Sequence, residues 1–134
     1  MTDAMTDQAV GADHAPRVLV VEDEFLIRAL VADHLRDAGF SVIEAFNGDE
    51  AVALLSAGAT VELIFTDVRM PGSTDGMALL AWVRAQRPGL PVIVTSGHLD
   101  PLVAASGGAA AFVPKPFDVG VVVDALRAAL DGAA

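Results

Sequence analysis

Residues able to do chemistry stand at the ends of four apolar runs: Glu22-Asp23 after "RVLVV", Asp67 in "LIFTD", Ser96 after "PVIVT", and Lys115 in "FVPKPF". Brought together, three carboxylates would repel and raise one another's pKa values unless a cation were present. A hard divalent ion resolves this. Mg²⁺ prefers oxygen ligands, keeps several waters, and commonly takes one or two carboxylates plus phosphate oxygens. A carboxylate beside Mg²⁺ can attack a phosphoryl group to give an aspartyl phosphate, while the ion and a lysine neutralise charge on the transferred group. Asp67 is the natural nucleophile because it stands alone at a central strand end, whereas the adjacent Glu22 and Asp23 suit the metal. The Ser96 hydroxyl can donate to a phosphoryl oxygen, and drawing in its loop would make a switch.

Taken singly, each residue has a plainer reading. Glu22 and Asp23 could cap the first helix, Asp67 could be a loop acid, and Ser96-Gly97 could be a turn. Lys115 could be a solvated charge. It is, however, the only lysine in the chain, and it stands between Pro114 and Pro116 beside Phe112, Val113 and Phe117. Their joint occurrence at four strand ends is what favours chemistry over the plainer readings.

The elements that must position these residues follow from periodicity. The runs at 17–21, 41–45, 61–65, 91–95 and 110–114 are continuous rather than alternating, which predicts strands covered on both faces. Between them, Ile27, Leu30, Val31, Leu35 and Ala38 recur at helical spacing with Gly39 at the expected C-cap. Val119, Val122, Val123, Leu126 and Leu130 do the same behind Asp118 as N-cap. Segments 48–58 and 75–86 carry acids near their starts, and 100–108 is short and ends in glycines. Trp82, on the third helix, reads as partly buried packing. Five strands alternating with five helices predict a doubly wound α/β domain with a parallel sheet. Ligands of such sheets sit outside the carboxyl ends of the strands.

The chain has 134 residues, a formal net charge of -10 and 54% hydrophobic residues, which fits one domain with a sizeable core. Eighteen acids against eight bases argue against nucleic-acid binding, since phosphate contacts need clustered Lys and Arg. With no cysteine, neither a disulfide nor a thiolate metal site can form, and the composition suits a reducing cytoplasm. Residues 1–16 contain no Lys or Arg; they read as a disordered acidic tail and not as a secretory signal. Residues 17–131 then form the domain. Few residues follow the last helix, so no output module is expected. No apolar run is long enough to span a bilayer, so a soluble, cytoplasmic protein is expected.

In order and at suitable spacing, "VLVVEDE", "LIFTDVRMPGSTDG", "PVIVTSG" and "FVPKPF" resemble the receiver domains of bacterial two-component response regulators, of the stand-alone type. The resemblance implies a five-stranded (βα)5, flavodoxin-like fold with strand order 2-1-3-4-5. It implies that Asp67 accepts phosphate from a partner histidine kinase or histidine phosphotransfer protein. It further implies that Asp23, Asp67 and the backbone carbonyl of Arg69 ligate Mg²⁺, with Glu22 assisting through water. Ser96 would be the switch hydroxyl, Lys115 the phosphate-binding cation, and Phe112 the aromatic whose rotamer follows the switch. The bond from Lys115 to Pro116 would be a cis peptide. Such a protein is a phosphoacceptor rather than an enzyme with a separate substrate, a monomer or weak dimer.

Some features depart from the commonest pattern. The span from Ser96 to Lys115 is short and contains "SGGAAA", predicting a short or poorly formed, mobile fourth helix. That puts in question a dimer face built from the fourth and fifth helices. The "PGSTDG" loop is one residue longer than usual. His14 and His34 read as solvated or structural, whereas His98 lies near enough to the site to tune its loop. Two other function classes are a pseudo-receiver that docks partners without phosphorylation, and a phosphohydrolase with an Asp nucleophile. The latter needs a second acid where this chain has Arg69.

Overall fold

The computed structural model describes residues 15–133; residues 1–14 of the expected tail, His14 among them, lie outside the described residues. The chain runs β1 (Arg17–Val21), α1 (Phe25–Asp37), β2 (Ser41–Ala45), α2 (Gly48–Ser56), β3 (Leu63–Asp67), α3 (Gly76–Gln86), β4 (Val92–Ser96), α4 (Pro101–Ser106), β5 (Ala111–Pro114) and α5 (Val119–Ala133). The strands form one parallel sheet in the order β2-β1-β3-β4-β5. This bears out the doubly wound fold and its strand order.

Alternating Cβ directions divide each strand between two apolar layers. Leu19, Val21, Ile64, Val92 and Val94 face Ala51 and Leu55 of α2 and Leu79, Leu80 and Val83 of α3. Val18, Val20, Leu63, Phe65, Ile93 and Val113 face Val31 and Leu35 of α1 and Val122 and Leu126 of α5. β3 and β4 are buried from end to end, which is why their sequences do not alternate. Trp82 is half-buried against the first layer, as its sequence context predicts.

Helix starts follow local chemistry. Asn47 accepts from Glu50 N, Asp75 from Ala78 N and Asp100 from Leu102 N, relieving amides that a first turn leaves without partners. Asp118 accepts from Gly120 N at the start of α5 (2.8 Å). α1 begins behind Glu24, whose side chain makes no capping bond, while Glu22 Oε2 accepts from the Glu24 amide.

The structure corrects two details, the limits of two strands and the place of Leu30, and shows the form of the fourth helix. β3 spans 63–67 and β4 spans 92–96, later than the apolar runs suggested, because the ladder continues through Asp67↔Thr95 and Ser96↔Pro114. The fourth helix is short, as the sequence predicts, and it is formed, behind an Asp cap with Pro101 at its first position. Leu30, expected in the core stripe of α1, is 51% exposed. The core face of that helix is Val31, Ala32 and Leu35, and Leu30 points about 100° away from Val31.

Candidate functional site

Because all five strands run the same way, their carboxyl ends share one rim, and register aligns them there. Asp67, last in β3, pairs with Thr95. The amide of Val68 is shared between Thr95 O (3.1 Å) and Asp67 Oδ1 (2.8 Å). Lys115 Nζ donates to Asp67 Oδ2 at 2.9 Å. Both carboxylate oxygens are therefore held, which explains how a buried strand can end on an acid that is only 6% exposed. From behind, α3 closes on the same strand end: Gly76 N donates to Val68 O (2.9 Å). A Cβ at Gly76 would lie 2.1 Å from Asp67 O.

Glu22 is also buried. Its Oε2 accepts from Glu24 N (3.0 Å) and its Oε1 from Lys115 Nζ (3.4 Å). Asp23 is exposed, yet Glu22, Asp23 and Asp67 offer carboxylate oxygens all within 4.8 Å of one another. Burial pushes the Glu22 carboxyl up to about 7, with the Asp67 charge adding to it; Glu24 N and Lys115 pull back without cancelling the rise. Burial would lower the Lys115 pKa, but its hydrogen bond to Asp67 and the charges of Asp67 and Glu22 hold it above its ordinary value. The lysine thus serves Asp67 first. Three carboxylates facing one ammonium leave the cluster short of positive charge, and an all-oxygen donor set at this spacing suits a hard divalent cation.

Ser96, last in β4, is buried. Its Oγ accepts from His98 N (3.1 Å) and Leu99 N (3.2 Å), which leaves its hydroxyl proton to donate elsewhere. Asp67, Arg69, Ser96, His98, Lys115 and Pro116 line a cleft of about 630 Å³ whose apolar wall includes Ile27, Leu30 and Phe117. The Lys115–Pro116 peptide is cis. Phe112 is not on that wall; it is half-buried against the α2/α3 layer, paired in register with Val94. His34 is exposed on α1 with Nδ1 at 3.0 Å from Leu30 O. Among the described residues no helix is long and apolar enough to cross a membrane.

Sequence reasoning missed two residues around this rim. Arg28 of α1 donates to Glu22 O (2.9 Å) and pairs with Glu44 of β2 (3.2 Å). Asp49, in the first turn of α2, accepts from Ser73 N (3.2 Å) and Ser73 Oγ (2.9 Å). Hydrogen bonds from Thr74 and Ser73 hold the Asp49 carboxyl below its ordinary value. It ties the long loop after Asp67 to α2. A signal for Arg28 existed in its helical position five residues after Asp23; the partners of Asp49 lie 24 residues away and left no local trace.

The profile of the family described as the response regulator receiver domain matches residues 18–127. The chain is 38% identical over 116 residues to the DNA-binding transcriptional regulator NtrC of Salmonella typhimurium, covering 84% of this chain and 24% of that protein. To the nitrogen assimilation regulatory protein NtrX of Azorhizobium caulinodans it is 38% identical over 118 residues, covering 85% and 26%. It thus spans about a quarter of the length of these curated relatives. Among solved structures, the receiver domain of NtrX from Brucella abortus is 39% identical with a TM-score of 0.78, covering 85% of this chain and 98% of that one. A response regulator receiver protein from Sinorhizobium medicae is 29% identical with a TM-score of 0.82, covering 90% and 98%. A sheet whose carboxyl rim gathers three acids, a serine and a lysine, and a profile match across nearly all of it, lead to one assignment: the chain belongs to the response regulator receiver domain family.

Proposed function

We propose that residues 17–131 act as a receiver unit in which Asp67 accepts a phosphoryl group from a histidine kinase or a histidine phosphotransfer protein. The observation that carries this reading is the setting of Asp67: a buried carboxylate with Lys115 at 2.9 Å and two further acids within 4.8 Å. A carboxylate oxygen of Asp67 attacks phosphorus as the P–N bond to the donor histidine breaks. The bonding pair leaves with the imidazole, which takes a proton from solvent. Lys115 supplies positive charge where the phosphoryl oxygens arrive.

Asp23, Asp67 and the backbone carbonyl of Arg69 would hold Mg²⁺, with Glu22 acting through a water. The all-oxygen donors and the unmet negative charge support that assignment. When bound, the ion would neutralise charge on the transferred group. The hydroxyl proton of Ser96 turns to a phosphoryl oxygen, and because His98 N and Leu99 N are bonded to the same Oγ, the β4–α4 loop follows. Phe112, one strand over, responds to that movement. The readout is a changed surface, not turnover of a separate substrate, in a cytoplasmic protein that is a monomer or weak dimer. With a net charge of -10 over the whole chain, the protein does not itself grip nucleic acid.

The test is intact-mass measurement after incubation with acetyl phosphate and Mg²⁺, beside Asp67→Asn and a chelator control. A gain of one phosphoryl group that needs Mg²⁺ and vanishes in Asp67→Asn is expected. If neither acetyl phosphate nor a panel of phosphorylated histidine kinases and phosphotransfer proteins labels the wild type, the proposal is wrong and a non-phosphorylated docking role takes its place.

A further inference from the structure

Arg28 is held on three sides. Its Nη1 donates to Glu22 O at 2.9 Å, its Nε pairs with Glu44 Oε1 at 3.2 Å, and the Phe25 ring lies 5.5 Å from its Cζ. For a charged side chain on a surface helix it is well enclosed, at 15% exposure. Its contact with Glu22 is to the backbone. The carbonyl of Glu22 shares one rigid peptide plane with the amide of Asp23, so whatever fixes that carbonyl also fixes the base from which the Asp23 side chain departs. Asp23 itself is exposed, and packing does not aim it. On the other side, Glu22 N donates to Ala45 O (3.1 Å), which ties the same residue to β2, the strand that carries Glu44.

We propose that Arg28 is a positioning residue for the cation site: by bridging Glu44 to the Glu22 carbonyl it sets the plane of the Glu22–Asp23 peptide and keeps the Asp23 carboxylate within reach of Asp67. The inference rests on the Mg²⁺-dependent reading above. Groups that orient ligands from behind commonly cost tenfold or more in metal affinity when removed. Charge alone makes the opposite demand. A guanidinium near a dication repels it, so its removal would tighten Mg²⁺ binding if Arg28 acted only through its field. The two accounts therefore differ in sign.

Arg36 provides the matched control. It is a second guanidinium on Glu44 (3.3 Å) and also pairs with Asp33 (3.6 Å), but its contacts do not include Glu22. The experiment titrates the full chain with MgCl₂, following backbone amide NMR shifts, for wild type, Arg28→Met, Arg28→Lys and Arg36→Met. Urea unfolding of each variant establishes which are folded under the conditions used. We expect Arg28→Met to weaken Mg²⁺ binding about tenfold and Arg36→Met to leave it unchanged or slightly tighter. Arg28→Lys keeps the charge but cannot hold two acceptors as a fork; it should also weaken binding, and it carries the test if Arg28→Met does not fold. Equal or tighter binding by the folded Arg28 variants, or equal weakening by Arg36→Met, overturns the inference while leaving the site assignment standing. Failure of the wild type to bind Mg²⁺ overturns the site assignment and this inference with it.

Discussion

Gly76→Ala isolates how the acceptor strand is held. A Cβ at residue 76 would lie 2.1 Å from Asp67 O, 2.8 Å from Asp67 C and 2.7 Å from Val68 Cα. All three are backbone atoms of the sheet end, so no side-chain rotation can make room. Nor can the helix retreat without loss, because Leu79, Leu80 and Val83 bury it in the core and Gly76 N donates to Val68 O. Overpacking of this kind costs about 1–3 kcal/mol. Contacts on rigid backbone place it at the upper end, and replacing a helical glycine returns at most about 1 kcal/mol. The net loss is then about 2 kcal/mol, equivalent to a fall of roughly 6–10 °C in Tm for a domain of this size. Urea unfolding followed by far-UV CD measures it. Gly89→Ala is the control, since a Cβ there meets nothing within 4 Å. Acetyl phosphate labelling of folded Gly76→Ala should also slow, because relief of the clash must shift the carbonyl of Asp67 itself. An unfolding midpoint and labelling rate equal to those of Gly89→Ala would refute the reasoning.

The elevated Glu22 pKa has a definite pH signature in chelator. A carboxyl raised from 4.5 to about 7 in the folded state contributes stability that is full below about pH 4.5 and lost as pH rises through 7. The change is on the order of 3 kcal/mol at most. Urea midpoints at pH 5 and 8 should therefore differ more in wild type than in Glu22→Gln, and Mg²⁺ should restore stability at pH 8; identical pH slopes would contradict it. Asp49→Ala should speed amide exchange at Ser73 and Thr74 with little change in the urea midpoint, and unchanged exchange there would show that Asp49 does not tether the loop. α4 buries only Ala104, so hydrogen exchange across 101–106 should be much faster than across α3, whose Leu79, Leu80 and Val83 are fully buried. Comparable protection of the two helices would count against a mobile α4.

Much of the site was legible because each of its residues abuts a strand with a strong apolar signature. Asp67, Ser96 and Glu22-Asp23 follow runs whose burial is encoded locally, and parallel topology sends every such run to the same rim. Leu30 was misread because periodicity cannot distinguish a helix face that meets the core from one turned toward a cleft mouth. Strand limits slipped by two residues at β3, since polar Thr66 and Asp67 belong to the ladder only through their neighbours' hydrogen bonds.

By itself, the sequence determined the fold class, the order of its elements and the inventory of reactive groups, because hydrophobic period and capping chemistry act over a few residues. Tertiary structure decided which groups meet and in what charge state. Lys115 lies 48 residues from Asp67 and 93 from Glu22, and no local rule says that it serves the former at 2.9 Å and the latter at 3.4 Å. The burial that raises Glu22, the backbone contact that demands glycine at 76, and the reach of Arg28 to both Glu44 and the Glu22 carbonyl arise only when distant elements pack. Electrostatic and steric energies depend on distance in space, and the chain acquires those distances by folding.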